Sequence, residues 1–345
     1  MNAKILILLL FWPASVVAQG FAGLGTTADG FSVPERGATF DFPADDGPHP
    51  AYRIEWWYLT ANLQGPDGTP YGIQWTLFRS ALAPQAGGGW TAPQLWMGHA
   101  AVTTPDRHFV TERLARGGVG QAGVTINPFH AWIDDWHMNG DITDFNLRAS
   151  GPDFAYNLDA LDTVGRIFHG DAGYSVKSAE GQASYYYSLP FLEMSGTLSL
   201  PDGDIDVTGR GWLDREWSSQ PLSDNQTGWD WFSLSFETGD KLMGFLLRQT
   251  DGSHYTSATW ITADGQTTAF EDGVFDAIPL AWHDVAGRTV PVRWAVTLPD
   301  RNVSVEVSAL NPDAWMDTTV AYWEGPVTIS GSHEGVGYLE MTGYE

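Results

Sequence analysis

The sequence predicts an all-β protein made of two tandem antiparallel barrels. First, short runs of alternating apolar and polar residues recur between Gly, Asp and Pro turns; residues 293–298, the turn 299–302 and residues 303–307 read as a hairpin. Second, no segment sustains an apolar period of 3.6, which a surface helix would need. Third, anchors recur in the same order in both halves. Trp57-Tyr58-Leu59-Thr60 leads to Thr76-Leu77-Phe78-Arg79 as Trp231-Phe232-Ser233-Leu234 leads to Phe245-Leu246-Leu247-Arg248. Residues 100–106 resemble 257–264, and Phe191-Leu192-Glu193-Met194-Ser195-Gly196 returns as Tyr338-Leu339-Glu340-Met341-Thr342-Gly343. Collinear repetition is what a tandem duplication leaves. About eight strands in ~120 residues suit a closed up-and-down barrel, although a two-sheet sandwich would give a similar string.

Taken in order, residues 1–18 read as a cleaved signal peptide. Lys4 supplies the positive start, residues 5–12 an apolar core too short to span a bilayer, and Val16-Val17-Ala18 the small residues before a cut. The mature chain is therefore expected in the periplasm or secreted, with no transmembrane segment once the leader is gone. Residues 19–50, rich in Gly, Pro and Ala, read as extended, and 19–36 are expected as an arm before the first barrel. The first barrel is expected at 37–220 and the second at 221–345. With no cysteine, neither can be stapled by a disulfide, so both must rest on their cores.

The formal charge of −25 becomes one unit more negative when Lys4 is removed, which disfavours nucleic acid as a partner. Seventeen tryptophans point instead to apolar ligand pockets or to sugar stacking, since indoles serve both.

The densest chemistry lies in Gly211-Trp212-Leu213-Asp214-Arg215-Glu216-Trp217, followed by Trp229-Asp230-Trp231-Phe232. On a strand, Trp212, Asp214 and Glu216 share one face and Leu213, Arg215 and Trp217 the other. Two carboxyls beside an indole can be driven to different pKa values, so Asp214, Glu216 and Trp212 are the candidate catalytic group. The competing reading pairs these acids with Arg210 and Arg215 as a structural ion cluster. In Glu55-Trp56-Trp57-Tyr58, Glu55 and Trp57 share a face, and Glu55 is either a pocket carboxylate or a partner of Arg53 or Arg79. Arg79 and Arg248 occupy matched repeat positions and are expected to brace each barrel. His130, Asp134, Asp135 and His137 lack a recognised ligand spacing, so no metal is expected, and no fingerprint for a cofactor is present.

His49-Pro50 with Glu55-Trp56-Trp57-Tyr58, the run 209–217, Gly228-Trp229-Asp230-Trp231-Phe232, Tyr322-Trp323-Glu324-Gly325 and the terminal 337–344 together resemble the AttH-like branch of the carotenoid 1,2-hydratase (hydroxyneurosporene synthase) family. The resemblance implies a pair of lipocalin-like (calycin) barrels. It further implies an apolar ligand, an isoprenoid or lipid, and an exported group tied to ABC exporter systems. In the hydratases of the family a proposed acid stands where Asp214 stands, with an aromatic at the Trp212 position, and a histidine lies on a neighbouring strand. The corresponding segment here, Ser184-Tyr185-Tyr186-Tyr187, has no histidine. The ligand-binding set expected around the acids is Tyr185, Tyr186, Tyr187, Trp57, Glu55, Trp217, Trp229 and Trp231. Three functions stay open: an exported carrier of an apolar molecule, a hydratase-type lyase using Asp214, and a carbohydrate-active protein.

Overall fold

The computed structural model describes residues 28–84, 87–220 and 222–344, so the signal-peptide reading at 1–18 falls outside the described residues. In chain order the strands are β1 (Ile54–Gln64), β2 (Pro70–Ala81), β3 (Gln94–Thr103), β4 (His108–Arg116), β5 (Ala122–Ile126), β6 (Phe129–Ile133), β7 (Trp136–Asp141), β8 (Asp144–Ser150), β9 (Ala155–Asp162), β10 (Ile167–Phe168), β11 (Tyr174–Val176) and β12 (Ala183–Leu200). They continue as β13 (Gly203–Ser218), β14 (Gln226–Phe236), β15 (Lys241–Gln249), β16 (His254–Ile261), β17 (Thr267–Phe270), β18 (Asp276–Val285), β19 (Arg288–Leu298), β20 (Val303–Ala309), β21 (Trp315–Met316), β22 (Tyr322–Gly331) and β23 (Gly335–Met341).

Two antiparallel sheets result. The first runs β4-β3-β2-β1-β13-β12-β9-β8-β7-β6-β5 and curls into a nearly closed barrel, whereas the second runs β17-β16-β15-β14-β23-β22-β20-β19-β18 and forms a half-barrel. The two orders correspond strand for strand from β4/β17 to β7/β18, as a duplication requires. Three of the four sequence anchors fall on corresponding strands: β1 with β14, β2 with β15, β3 with β16. The fourth does not. Phe191 lies on β12, whose counterpart is β22, while Tyr338 lies on β23, the counterpart of β13.

The repeat is also displaced by one residue in β14. Trp57 belongs to the interior of the first barrel, but in the second half the interior position is held by Phe232, and Trp231 faces outward. Because side chains alternate along a strand, a one-residue shift exchanges the faces. The matched arginines still reach the matched acids, though from different positions: Arg79 lies directly opposite the buried Glu55 across β1/β2 and pairs with it, while Arg248, opposite Gly228, pairs at 2.5 Å with the buried Asp230 across β14/β15.

The interior of the first barrel is filled, with Trp57, Trp75, Trp136, Leu147, Leu158 and Leu213 all fully buried in one apolar cluster. Its mouth is plugged by the segment before β1. Phe40 packs against Phe168, Tyr185 and Trp217, and His49 stacks on Trp217 with ring centres 3.9 Å apart. The outer faces of β1, β12 and β13 then meet the outer faces of β14, β15 and β23. A second apolar cluster, including Tyr58, Tyr186, Trp212, Trp231, Phe245 and Tyr338, fills that junction. In β12 the pairing register shifts between Leu189 and Leu192, at Pro190, which has no amide hydrogen to donate to a ladder. The shift lets Ser184, Tyr186 and Ser188 face the junction while Leu192 and Met194 still point into the barrel.

Candidate active site between the barrels

Register builds the site. Across β1/β13 Tyr58 lies opposite Asp214 and Trp56 opposite Glu216; across β12/β13 Ser188 lies opposite Asp214 and Tyr186 opposite Glu216. All face the second half, which contributes Trp229 and Trp231 from β14, Phe245 and Leu247 from β15, and Glu340 from β23. Between the two walls lies a narrow pocket with about 80 Å³ of room for water-sized occupants. Its walls are mostly apolar with a few convergent polar groups, as in small-molecule sites.

Asp214 is 3 % exposed and all its hydrogen-bond partners are neutral. Tyr186 Oη donates to Oδ2 at 2.7 Å, Trp212 Nε1 donates to Oδ1 at 2.6 Å, and the Ser188 hydroxyl also donates to Oδ1. Burial pushes the carboxyl up to about 7 against the pull of these donors, and the nearby Glu216 charge adds to the rise. Arg215, the expected cationic partner, lies on the opposite face, where it bonds the carbonyl oxygens of Trp56 and Gly47 and stands 3.4 Å from Glu55. An ion cluster of Asp214 with Arg210 and Arg215 is therefore not formed.

Glu216 is paired. Lys177 Nζ sits 2.9 Å from Oε1, the Ser184 hydroxyl donates to the same oxygen, and the ammonium also lies 4.8 Å from the Tyr186 ring centre and 4.3 Å from that of Phe245. Glu340 faces Asp214 from the other wall, accepting from Trp229 Nε1 at 2.6 Å. Burial first, and then the charges of Asp214 and Glu216, push it up to about 7. The site thus holds two carboxyls that stay protonated to near neutrality and one that is neutralised by an ammonium.

A histidine does approach the acid, from a segment outside the expected one. His169, just after β10, places Nε2 2.6 Å from Ser188 Oγ and Nδ1 3.0 Å from Thr259 Oγ1 on β16. Burial, reinforced by Lys177, pushes it down to about 3, so the ring is neutral. The hydroxyl of Thr259 then donates to Nδ1, Nε2–H donates to Ser188, and Ser188 donates to Asp214, one consistently directed chain.

Of the residues expected at the site, Asp214, Glu216, Tyr186, Trp229 and Trp231 line the pocket, and Trp212 packs directly behind Asp214. The remaining expected ligand contacts are corrected by strand geometry. Glu55 and Trp57 share the inward face of β1, with Glu55 held by Arg79, His49 and Arg215; Trp56 and Tyr58 take the pocket side. Tyr185, Tyr187 and Trp217 likewise point to the plugged mouth, among Phe40, Phe42 and Phe168. Lys177, Glu340 and His169 went unnoticed in the sequence. Only Glu340 carried a signal, as an acid inside a repeated motif.

The AttH-like family model matches residues 33–344. The crystal structure of an AttH protein from Nitrosomonas europaea is 32 % identical, covers 91 % of this chain and 100 % of its own, and superposes with a TM-score of 0.82. Kievitone hydratase from Nectria haematococca shares the fold at 13 % identity and a TM-score of 0.70, over 90 % of this chain and 95 % of its own. CghA, solved with Sch210972, does so at 12 % identity and a TM-score of 0.55, over 88 % and 93 %. No curated protein matches the sequence. The chain belongs to the AttH-like family.

Proposed function

From its place in the AttH-like family, we propose that this protein binds an apolar isoprenoid or lipid between its two barrels and that Asp214 acts on it as a general acid, in the manner of a hydro-lyase. One observation carries the reading: a fully buried carboxyl with no cationic partner, protonated to near neutral pH, faces a pocket walled by indoles and phenols. An acid that serves only structure would be expected to find a cation, as Glu55 and Asp230 do. The fold shared with a kievitone hydratase is consistent with it.

In that reaction Asp214 gives its proton to one alkene carbon, the π pair forming the new C–H bond. The adjacent carbon becomes cationic, facing the rings of Trp229 and Trp231, whose π faces stabilise positive charge. A water beside the Lys177–Glu216 pair attacks that carbon, and the proton it sheds returns to the Asp214 carboxylate. The sum is alkene plus water to alcohol, with the acid restored. Export, and service to an ABC exporter, belong to the same proposal; the leader pattern at 1–18 supports the first and the family resemblance the second.

The test uses an acyclic carotenoid and a prenylated phenol as probes, in ¹⁸O-labelled water, followed by mass spectrometry. Incorporation of one labelled oxygen that falls by roughly 10²–10⁴-fold in Asp214→Asn, while probe binding persists, is the expected result. Tight binding with no hydration by the parent protein would leave a carrier.

A further inference from the structure

We propose that Glu340, Tyr58, Glu324, Tyr322, His99 and Glu112 form a proton route joining the pocket to solvent on the far side of the barrel junction. It needs only the pocket, whatever reaction occurs there. Glu324 and Glu340 lie directly opposite each other on β22 and β23, both buried and both turned toward the first barrel. Two carboxylates so placed repel, and burial together with Glu340 holds Glu324 well above the usual carboxylate range. Tyr58 Oη donates to Glu324 Oε1 at 2.5 Å and lies beside the Glu340 carboxyl, between the pair. The hydroxyl of Tyr322 lies beside the same Glu324 carboxyl and 2.9 Å from His99 Nδ1. His99 is fully buried, and its Nε2 stands 3.2 Å from Glu112 Oε1. Glu112, with 19 % of its side chain exposed, is anchored at the surface by the amide and hydroxyl of Thr319.

The polarity of this chain is self-consistent. His99 Nε2–H donates to Glu112, which leaves Nδ1 to accept from Tyr322. A proton on the Glu324 carboxyl is available to the Tyr322 oxygen beside it. Tyr58 donates to Glu324 and accepts from protonated Glu340. A shift of every proton by one place outward takes one from Glu340 and adds one to Glu112, which releases it to water; the reverse shift recharges Glu340. No group ends with a net change except the two termini. The cost of leaving an acid, two phenols and an imidazole unpaired in this interface explains why they are linked, but linkage alone does not require that the last member reach solvent. Glu112 does. A ligand seated in the pocket blocks its mouth, so a route through the protein is what keeps the pocket acids in equilibrium with bulk water.

The test follows hydrogen–deuterium exchange of the Glu324 carboxylic acid by its infrared C=O band, assigned by its loss in Glu324→Gln. Tyr58→Phe cuts the pocket side, and in that background exchange should continue through His99. Adding His99→Phe should then slow it by about a hundredfold, the lower end of what losing a positioned proton-transfer group costs. Glu112→Gln in place of His99→Phe provides a surface variant that preserves the buried contacts, and it should slow exchange in the same direction. Two outcomes overturn the route. One is that Tyr58→Phe alone slows exchange as much as the double variants, meaning that deuterium enters only from the pocket. The other is that the double variants exchange as fast as the parent, meaning that the interface opens as a whole. Neither result bears on whether Asp214 hydrates an alkene, so the two proposals fail separately.

Discussion

Replacing Asp214 by Asn isolates the protonation state on which the active-site reading depends. In the folded protein the carboxyl is raised to about 7, whereas in an unfolded chain an aspartate titrates near ~3.9. Between those values the folded form keeps a proton that the unfolded form has lost. Stability therefore falls as pH rises through this window and levels off above the folded value; three units at ~1.4 kcal/mol each make the full penalty on the order of 4 kcal/mol. Asparagine has no proton to lose. Its oxygen can still accept from Ser188 and Trp212, and its amide can donate to Tyr186, which already accepts from Trp231 Nε1 at 3.1 Å. Imperfect geometry there should cost about 1 kcal/mol. Urea unfolding should thus show the variant slightly weaker than the parent at about pH 4, and stronger by ~3 kcal/mol at about pH 8.5. Relief of the Asp214 charge also lets Glu340 ionise more readily, which moves the crossover without changing its sign. A variant destabilised by about 3–5 kcal/mol at both pH values would refute the argument, because that is the signature of a paired buried anion whose partner has been stranded.

The opposite pH behaviour is expected of Glu55, which Arg79, His49 and Arg215 hold well below the usual carboxylate range despite complete burial. Its stabilisation is present above the unfolded value near ~4.3 and is lost as pH falls, so Glu55→Gln should cost about 3–5 kcal/mol at pH 7 and flatten the acid limb of the stability curve. Gly72→Ala should loosen the junction: a Cβ there would lie 2.5 Å from Pro326 Cγ and 2.8 Å from Tyr338 Oη, both contributed by the second half. A loss of about 1–3 kcal/mol in urea unfolding is expected, and an unchanged midpoint would show that the halves have room to separate. Long polyenes should quench tryptophan emission, and the amplitude should shrink in Trp229→Phe and Trp231→Phe but not in Trp282→Phe, an exposed indole on β18; equal quenching in all three would place the ligand elsewhere.

By itself the sequence determined what depends on neighbours along the chain. Alternation in 212–217 places Trp212, Asp214 and Glu216 on one face whatever the partner strands are, and turn residues punctuate the strands wherever they pair. The matched arginines at 79 and 248 could be read as braces because each needs only a carboxylate on the adjoining strand. Correspondence between the halves was legible for the same reason at three of the four anchors, and only to within a residue: aligning Trp57 with Trp231 matches composition and reverses the face, and pairing Phe191 with Tyr338 lands one strand away. Which face of β1 meets the ligand could not be read locally, since Glu55/Trp57 and Trp56/Tyr58 alternate equally well. Only the closure of the first barrel around the former pair, and the docking of the second half against the latter, decided it. The same closure brings His169 to Ser188 and Thr259, and Glu340 within the field of Asp214. Those groups are 19, 90 and more than a hundred residues apart, and no periodic pattern extends over such separations. The protonation of Asp214 belongs to the same class: its carboxyl is raised because the second half removes water from it, a desolvation that exists only after the two barrels have met.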